Sequence, residues 1–146
     1  MRILIDGDAC PQKEDILDIA RKYHKEVLLF IDYAHDADIS LYDEVIYCDV
    51  GHDSTDMMIV SKIHRNDLLI TQDYGLASLV LAKGAKVLHV SGMIIDSDNI
   101  DELLYRRYGS AKLRKANYRL KGPRVRDNET KLLFIDTLEN ILKENG

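Results

Sequence analysis

The sequence lacks the features that would place it in a membrane or pin it together covalently. None of its apolar runs approaches the roughly 18 residues a membrane span needs. The apolar stretch after Arg2 is too short for a secretory leader and ends in two aspartates, so no N-terminal signal is expected. Cys10 and Cys48 are too few and too far apart for a disulfide framework or a four-ligand zinc site. Reduced thiols in a cytoplasmic protein are the simplest account of them. The histidines at 24, 35, 52, 64 and 89 show no His-x-x-x-His spacing, and only His52 falls near a candidate site. No internal repeat and no linker rich in Pro, Gly or Ser divides the 146 residues. One domain over 1–146 is expected, of a size that buries about 68–70% of its unfolded surface.

What the sequence does have is an uneven charge. Residues 1–105 carry 9 Lys/Arg against 20 Asp/Glu, a net −11. Residues 106–131 carry 10 against 2, a net +8, and residues 132–146 carry 1 against 3, a net −2. The overall −5 therefore averages an acidic body and one basic segment, which needs its own explanation.

The opening, Met1-Arg-Ile-Leu-Ile-Asp-Gly-Asp-Ala-Cys-Pro11, holds a short continuous apolar run stopped by turn residues. Such a run reads as a strand buried on both faces in a parallel sheet. Pro11–His24 reads as a helix with Ile16, Ile19, Ala20 and Tyr23 on one face, and Val27–Ile31 as a second strand. Asp32–Asp43 is a polar loop, and Val45–Tyr47 is a third short strand. A helix follows over Asp56–His64, begun by Thr55 or Asp56, with Met57, Ile59, Val60 and Ile63 inward. Leu68–Thr71 is a fourth strand, Leu76–Lys83 a helix stopped by Gly84, and Lys86–Val90 a fifth strand. Beyond these, Asp98–Tyr108 is expected as a helix capped by Asp98, and Gly109–Asp127 as a loop or flap. Asp127–Leu142 closes the chain as a capped amphipathic helix with Leu132, Ile135, Leu138 and Ile141 or Leu142 inward. Strands alternating with helices at short intervals predict a three-layer α/β/α fold around a mostly parallel sheet of about five strands.

Parallel strands share one carboxyl rim, and open α/β sheets place their sites in the crevice beyond it. Asp6 and Asp8 end the first strand, Asp73 follows the fourth, and Asp56 opens a helix between them. Carboxylates converging there repel one another unless a cation or a proton intervenes. Hard oxygen donors suit Mg²⁺ or Mn²⁺, ions that activate water for attack on a phosphodiester. Each aspartate also has a plain structural reading. Asp8 and Asp56 can cap helices, and Asp73 can be a turn residue. Asp6, at the end of a buried strand, is least easily explained that way. Asp36, Asp38, Asp43, Asp49, Asp53 and Asp67 read as solvated loop charges, with Asp53 in reserve as a site residue.

Ile5-Asp-Gly-Asp-Ala-Cys-Pro11, Gly51-His-Asp-Ser-Thr-Asp56 and Asp67-Leu-Leu-Ile-Thr-Gln-Asp-Tyr-Gly-Leu-Ala77 resemble the YaiI/YqxD family. Asp98-Asn-Ile, Gly122-Pro123 and a C-terminal amphipathic helix keep the same order, so the resemblance spans nearly the whole chain. The fold of that family looks similar to the PIN-domain-like superfamily, many of whose members are metal-dependent ribonucleases or 5′ nucleases. The resemblance implies that Asp6 corresponds to the acid ending the first PIN strand. It likewise implies that Asp56 is the acid opening a central helix and Asp73 the acid of the Thr-x-Asp motif, with Asp8 an additional ligand of this family's own. PIN nucleases commonly carry a glutamate on the helix after the first strand, and Glu14 is the weak candidate here.

The basic segment holds Arg106, Arg107, Lys112, Arg114, Lys115, Arg119, Lys121, Arg124 and Arg126, with Tyr105, Tyr108 and Tyr118 among them. Clustered cations with interleaved aromatics hold a phosphate backbone and stack unpaired bases. The plain alternative is a solvated loop whose cations pair with the acidic body or with a homo-oligomer partner. The functional expectation is a metal-dependent nuclease acting on RNA or another single-stranded nucleic acid. Its rivals are a non-catalytic nucleic-acid-binding or regulatory module and a small-molecule phosphatase with Asp6 as nucleophile, as in haloacid-dehalogenase-like enzymes. Cys10, at a helix start, is expected to be packed and inert.

Overall fold

The apolar run after Arg2 forms β1 (Ile3–Asp6), a central strand of the sheet. A computed structural model of the chain describes residues 1–7, 10–32, 39–48, 52–106 and 127–144. In order these give β1, α1 (Lys13–Lys22), β2 (Val27–Asp32), a 3-10 turn (Ile39–Leu41), β3 (Glu44–Cys48), α2 (His52–Lys62) and β4 (Leu68–Thr71). Then come α3 (Tyr74–Ala82), β5 (Lys86–His89), β6 (Ile94–Ile95), α4 over 100–106 and α5 (Asn128–Glu144). Among the described residues the sheet has six strands in the order β3-β2-β1-β4-β5-β6. The first five are parallel and β6 runs antiparallel to β5.

Burial follows position in the sheet. Ile3, Leu4 and Ile5 of β1, and all four residues of β4, are buried, as are Val27–Ile31 of β2. These strands are covered on both faces, which is why their sequences are apolar throughout rather than alternating. β3 lies at the edge and alternates instead, with Glu44 and Tyr47 exposed but Ile46 and Cys48 buried. Alternate residues feed two separate core layers. Ile3, Ile5, Leu29, Ile31, Leu68, Ile70 and Leu88 pack under α1 and α5, with Phe134, Leu138, Ile141 and Leu142 from α5. Leu4, Leu28, Phe30, Leu69 and Val87 pack under α2, α3 and α4 through Ile59, Ile63, Leu76, Val80, Ile100 and Leu103. The three-layer architecture is thus as expected, with one strand more than expected. Two residues of β6 are too few to give a readable period.

Several boundaries differ for physical reasons. α2 begins at His52, so Asp56 lies within the helix and does not open it. Polar residues form its first turn, ahead of the apolar stripe on which a sequence reading depends. Its inward face carries Thr55 and Ile59, with Ile63 continuing the spacing of four just past its end, while Met57 is 71% exposed. In α5 the buried stripe is Phe134, Leu138, Ile141 and Leu142, and Leu132, two residues before Phe134, falls on the far side of the helix. Asp127 does cap α5, accepting the Thr130 N–H at 2.7 Å. The start of α4 is organised by Asp96 rather than Asp98. Its carboxylate accepts the Asp98 and Asn99 N–H groups at 2.9 and 3.2 Å, and its carbonyl accepts from Ile100. Pro11 precedes α1, whose cap residue Gln12 adopts φ 63°.

Asp67 is the clearest correction. Expected as a solvated charge, it is 4% exposed at the amino end of β4. It accepts from the Arg2 guanidinium at 2.7 Å, the Arg2 main-chain N–H at 3.1 Å and the His64 N–H at 2.8 Å. Burial pushes the Asp67 carboxyl up, but the Arg2 hydrogen bond and the two main-chain donors outweigh it and hold the carboxyl below its ordinary value. Cys10 and Cys48 are buried and form no disulfide, in keeping with the packing expected of Cys10. Among the described residues no helix is long and apolar enough to cross a membrane.

Candidate functional site at the carboxyl rim

The chain leaves β1 through Asp6 and Gly7, and Gly7 is set by space. A Cβ there would lie 2.6 Å from Ile31 Cγ2, 2.7 Å from Leu29 Cδ1 and 2.8 Å from the Phe30 carbonyl oxygen. Only glycine lets the backbone pass this close to β2 at the point where β1 ends. Asp6, two residues after Leu4, shares the face that α2 and α3 cover. Across β4 on that face stands Thr71, 1% exposed, whose hydroxyl donates to Asp6 Oδ2 at 2.8 Å. The same hydroxyl oxygen accepts the Asp73 N–H at 3.1 Å. Asp73 in turn caps α3, its Oδ1 accepting the Leu76 N–H at 3.1 Å. One buried threonine therefore ties the acid that ends β1 to the acid that follows β4.

This junction is also where the topology turns. From β1 the chain steps outward to β2 and β3, then α2 carries it back to β4 on the other side of β1. Ligand crevices in doubly wound sheets form at such a switch point, beyond the carboxyl ends. α1, α2 and α3 follow β1, β3 and β4 respectively, so their amino ends lie at this rim. The partial positive charge of helix amino ends favours ionised carboxylates and bound anions.

The other predicted residues divide plainly. Asp56, half-buried, lies in the second turn of α2, beside the buried Thr55. Asp8 and the side chain of His52 lie outside the described residues. So do Arg107, Lys112, Arg114, Lys115, Tyr118, Arg119, Lys121, Arg124 and Arg126. Arg106 is described: it is exposed and pairs with Glu102 one helical turn away at 2.6 Å. Among the described residues no three His, Cys, Asp or Glu side chains form a group that could hold a metal by themselves. Mg²⁺, however, is typically held by one or two carboxylates with waters and substrate phosphates completing its shell. An all-oxygen donor set of Asp6 and Asp73 has that chemistry.

Two rim residues escaped the sequence reading. Asp32, the last residue of β2, was placed in the following loop. His89, the last residue of β5, sits opposite Thr71 in the strand register. Strand parity pairs Asp32 with Phe30 and His89 with Val87, but only the register shows that these lie on the face of Leu4 and Asp6.

With this geometry in view, the likeness to known proteins is informative. The profile of the family described as "Uncharacterized BCR, YaiI/YqxD family" matches residues 4–144. A UPF0178 protein of Bacillus cereus is 45% identical over 136 residues, covering 92% of this chain and 93% of its own. One from Clostridium tetani is 44% identical over 129 residues, 88% of each chain. One from Natranaerobius thermophilus is 41% identical over 145 residues, 99% of this chain and 95% of that one. No solved structure matches the chain. A match from β1 to α5, with relatives aligned over most of their length, shows that the chain belongs to the YaiI/YqxD family.

Proposed function

We propose that the protein is a PIN-like, divalent-metal-dependent phosphodiester hydrolase acting on RNA or another single-stranded nucleic acid. The observation that carries this reading is the Asp6–Thr71–Asp73 linkage at the switch point. It joins acidic residues from two adjacent central strands in the crevice where such sheets bind ligands. Asp6, Asp73 and, in this reading, Asp8 and Asp56 hold Mg²⁺ or Mn²⁺. The ion supplies charge neutralisation at a phosphate and a lowered pKa for water. Thr71 fixes the orientation of Asp6, and the cap bond to Leu76 fixes that of Asp73. Two oriented carboxylates impose a defined line of approach on a phosphodiester. The basic residues from Arg106 to Arg126 hold the polyanion against the acidic body.

Purified full chain with Mn²⁺ is expected to cleave a mixed single-stranded RNA, with no cleavage in excess chelator. Asp6→Asn should lower the rate at least about a hundredfold, the usual scale for removing an electrostatic catalytic group. Undiminished cleavage by Asp6→Asn sinks the assignment. Salt-sensitive RNA binding without cleavage by the wild type transfers the reading to a non-catalytic binding module.

A further inference from the structure

The inward face of α2 carries one polar side chain that the fold does not use. Thr55 is 4% exposed, and among the described residues its hydroxyl has no hydrogen-bond partner. A threonine inside a helix commonly gives its hydroxyl to the carbonyl one turn back, and this one does not. A hydroxyl buried without a partner is destabilising, whereas valine has the same shape and fills the same space without that penalty. Such a hydroxyl marks a place where a polar atom from outside the chain is bound.

The elements around Thr55 fix where that place is. α2 leads from the end of β3 into the start of β4, and both strands run parallel with β1 and β2, so α2 runs from the carboxyl rim back towards the amino ends. The helix touches β1, β2 and β3. Ile59, one turn further along, packs in the layer of Leu4, Leu28 and Phe30. One helical turn advances about 6 Å, and two strand residues advance about 6.6 Å. Thr55 therefore lies at the rim end of this layer, where the strands place Asp6 and Asp32 two residues beyond Leu4 and Phe30 on the same face. Asp56, half-buried, is the next residue of the helix.

The charge at that end selects the ligand. Carboxylates from β1, β2 and α2 disfavour an anion beside Thr55 and favour a cation. Mg²⁺ held by one or two carboxylates keeps several waters, and those waters need acceptors for their protons. A neutral hydroxyl is such an acceptor and can donate in turn. We propose that the Thr55 hydroxyl is a binding group of the rim site, meeting a water in the hydration shell of a divalent cation held by the rim acids. The inference rests on the metal-dependent reading of the rim and adds to it a neutral group that helps to hold the cation.

The test uses the full chain and reads binding and stability, with cleavage followed separately. In chelator, Thr55→Val should unfold about 2–4 °C above the wild type, because it removes an unpaired buried hydroxyl and keeps the volume. Mn²⁺ titration followed by the resonance of the free ion should show affinity about tenfold to a hundredfold weaker in Thr55→Val, the scale for losing a group that supports a metal from outside its ligands. Thr55→Ser restores the hydroxyl and should recover most of that affinity. Mg²⁺ added to the wild type labelled at threonine methyls should shift the Thr55 signal and leave Thr130 and Thr137 of α5 in place. An unmoved Thr55 methyl overturns the proposal, and this measurement stands even where Thr55→Val does not fold. A purely structural threonine predicts the reverse pattern, with Thr55→Val less stable than the wild type and equal to it in Mn²⁺ affinity. Cleavage by a chain whose Mn²⁺ affinity does not depend on Thr55 rejects the contact and keeps the nuclease reading. Mn²⁺ binding that weakens in Thr55→Val, in a chain that cleaves nothing, keeps the contact and rejects the nuclease.

Discussion

The two central strands are tied at both ends by side-chain contacts between residues 65 apart in sequence, and the ties are of opposite kinds. At the amino end, Asp67 is buried and meets the guanidinium of Arg2 at 2.7 Å, charge against charge. At the carboxyl end, Asp6 is half-buried and meets the neutral hydroxyl of Thr71 at 2.8 Å. A guanidinium balances the charge it holds, whereas a hydroxyl donates a hydrogen bond that orients a carboxylate. The first arrangement suits a fastening and the second suits a site.

The largest stability effect should come from breaking the amino end. Asp67→Ala strands Arg2 and leaves the His64 N–H without its carboxylate, and should cost about 3 kcal/mol in urea unfolding. That is the low end for a broken buried pair, because the Arg2 side chain keeps 25% exposure. The pH dependence follows from the lowered Asp67 pKa. A carboxyl whose folded pKa lies below its ordinary 3.8 contributes stability that is fully present above about pH 4. That contribution is lost as pH falls through the lower folded value. Arg2→Met removes the chief lowering influence, so its acid unfolding should begin at a higher pH than that of the wild type. Identical acid transitions would show that the pair fastens nothing.

Next should come Gly7→Ala. A methyl group 2.6–2.8 Å from Ile31, Leu29 and the Phe30 carbonyl must push β1 and β2 apart. A loss of about 1–3 kcal/mol is expected, with impaired cleavage because Asp6 is the neighbouring residue. Thr71→Val keeps the volume but removes the shared hydroxyl from Asp6 and the Asp73 N–H. About 1–2 kcal/mol should be lost, and cleavage should fall further than stability does. The smallest stability effect belongs to Asp73→Asn, because asparagine caps a helix about as well as aspartate; a change within a few tenths of a kcal/mol is expected in thermal unfolding. Cleavage should nevertheless be abolished, separating the capping role of Asp73 from its charge. A fully active Asp73→Asn would reduce the carboxyl end to a fastening like the other.

The contrast between the two ends also marks what was legible in the sequence. Apolar runs such as Ile3–Ile5 and Leu68–Thr71 announced buried parallel strands, because burial on both faces leaves no room for alternation. Asp6 and Asp73 stood out as rim positions because Asp6 directly follows one such run and Asp73 lies two residues beyond another. Asp67 was not, since its partner Arg2 is brought close only by the pairing of β1 with β4. The same holds for Thr71, whose role depends on Asp6 in the neighbouring strand, and for His89, whose place depends on register. Asp56 was misplaced for a local reason: a polar first turn hides where α2 begins. Chemistry carried by one segment could be read from that segment, and chemistry assembled between segments could not.

The packing of α5 has a consequence for how the chain is made. Phe134, Leu138, Ile141 and Leu142 seal a layer whose other members, from Ile3 to Val90, are synthesised earlier. On a ribosome, the α1 face of the sheet stays partly uncovered until residues 128–144 have left the exit tunnel. At usual synthesis rates of about 5–20 residues per second, the interval between Val90 and α5 lasts several seconds. A nascent chain stalled before residue 128 would therefore present Ile5, Ile70 and Leu88 to any holding chaperone nearby.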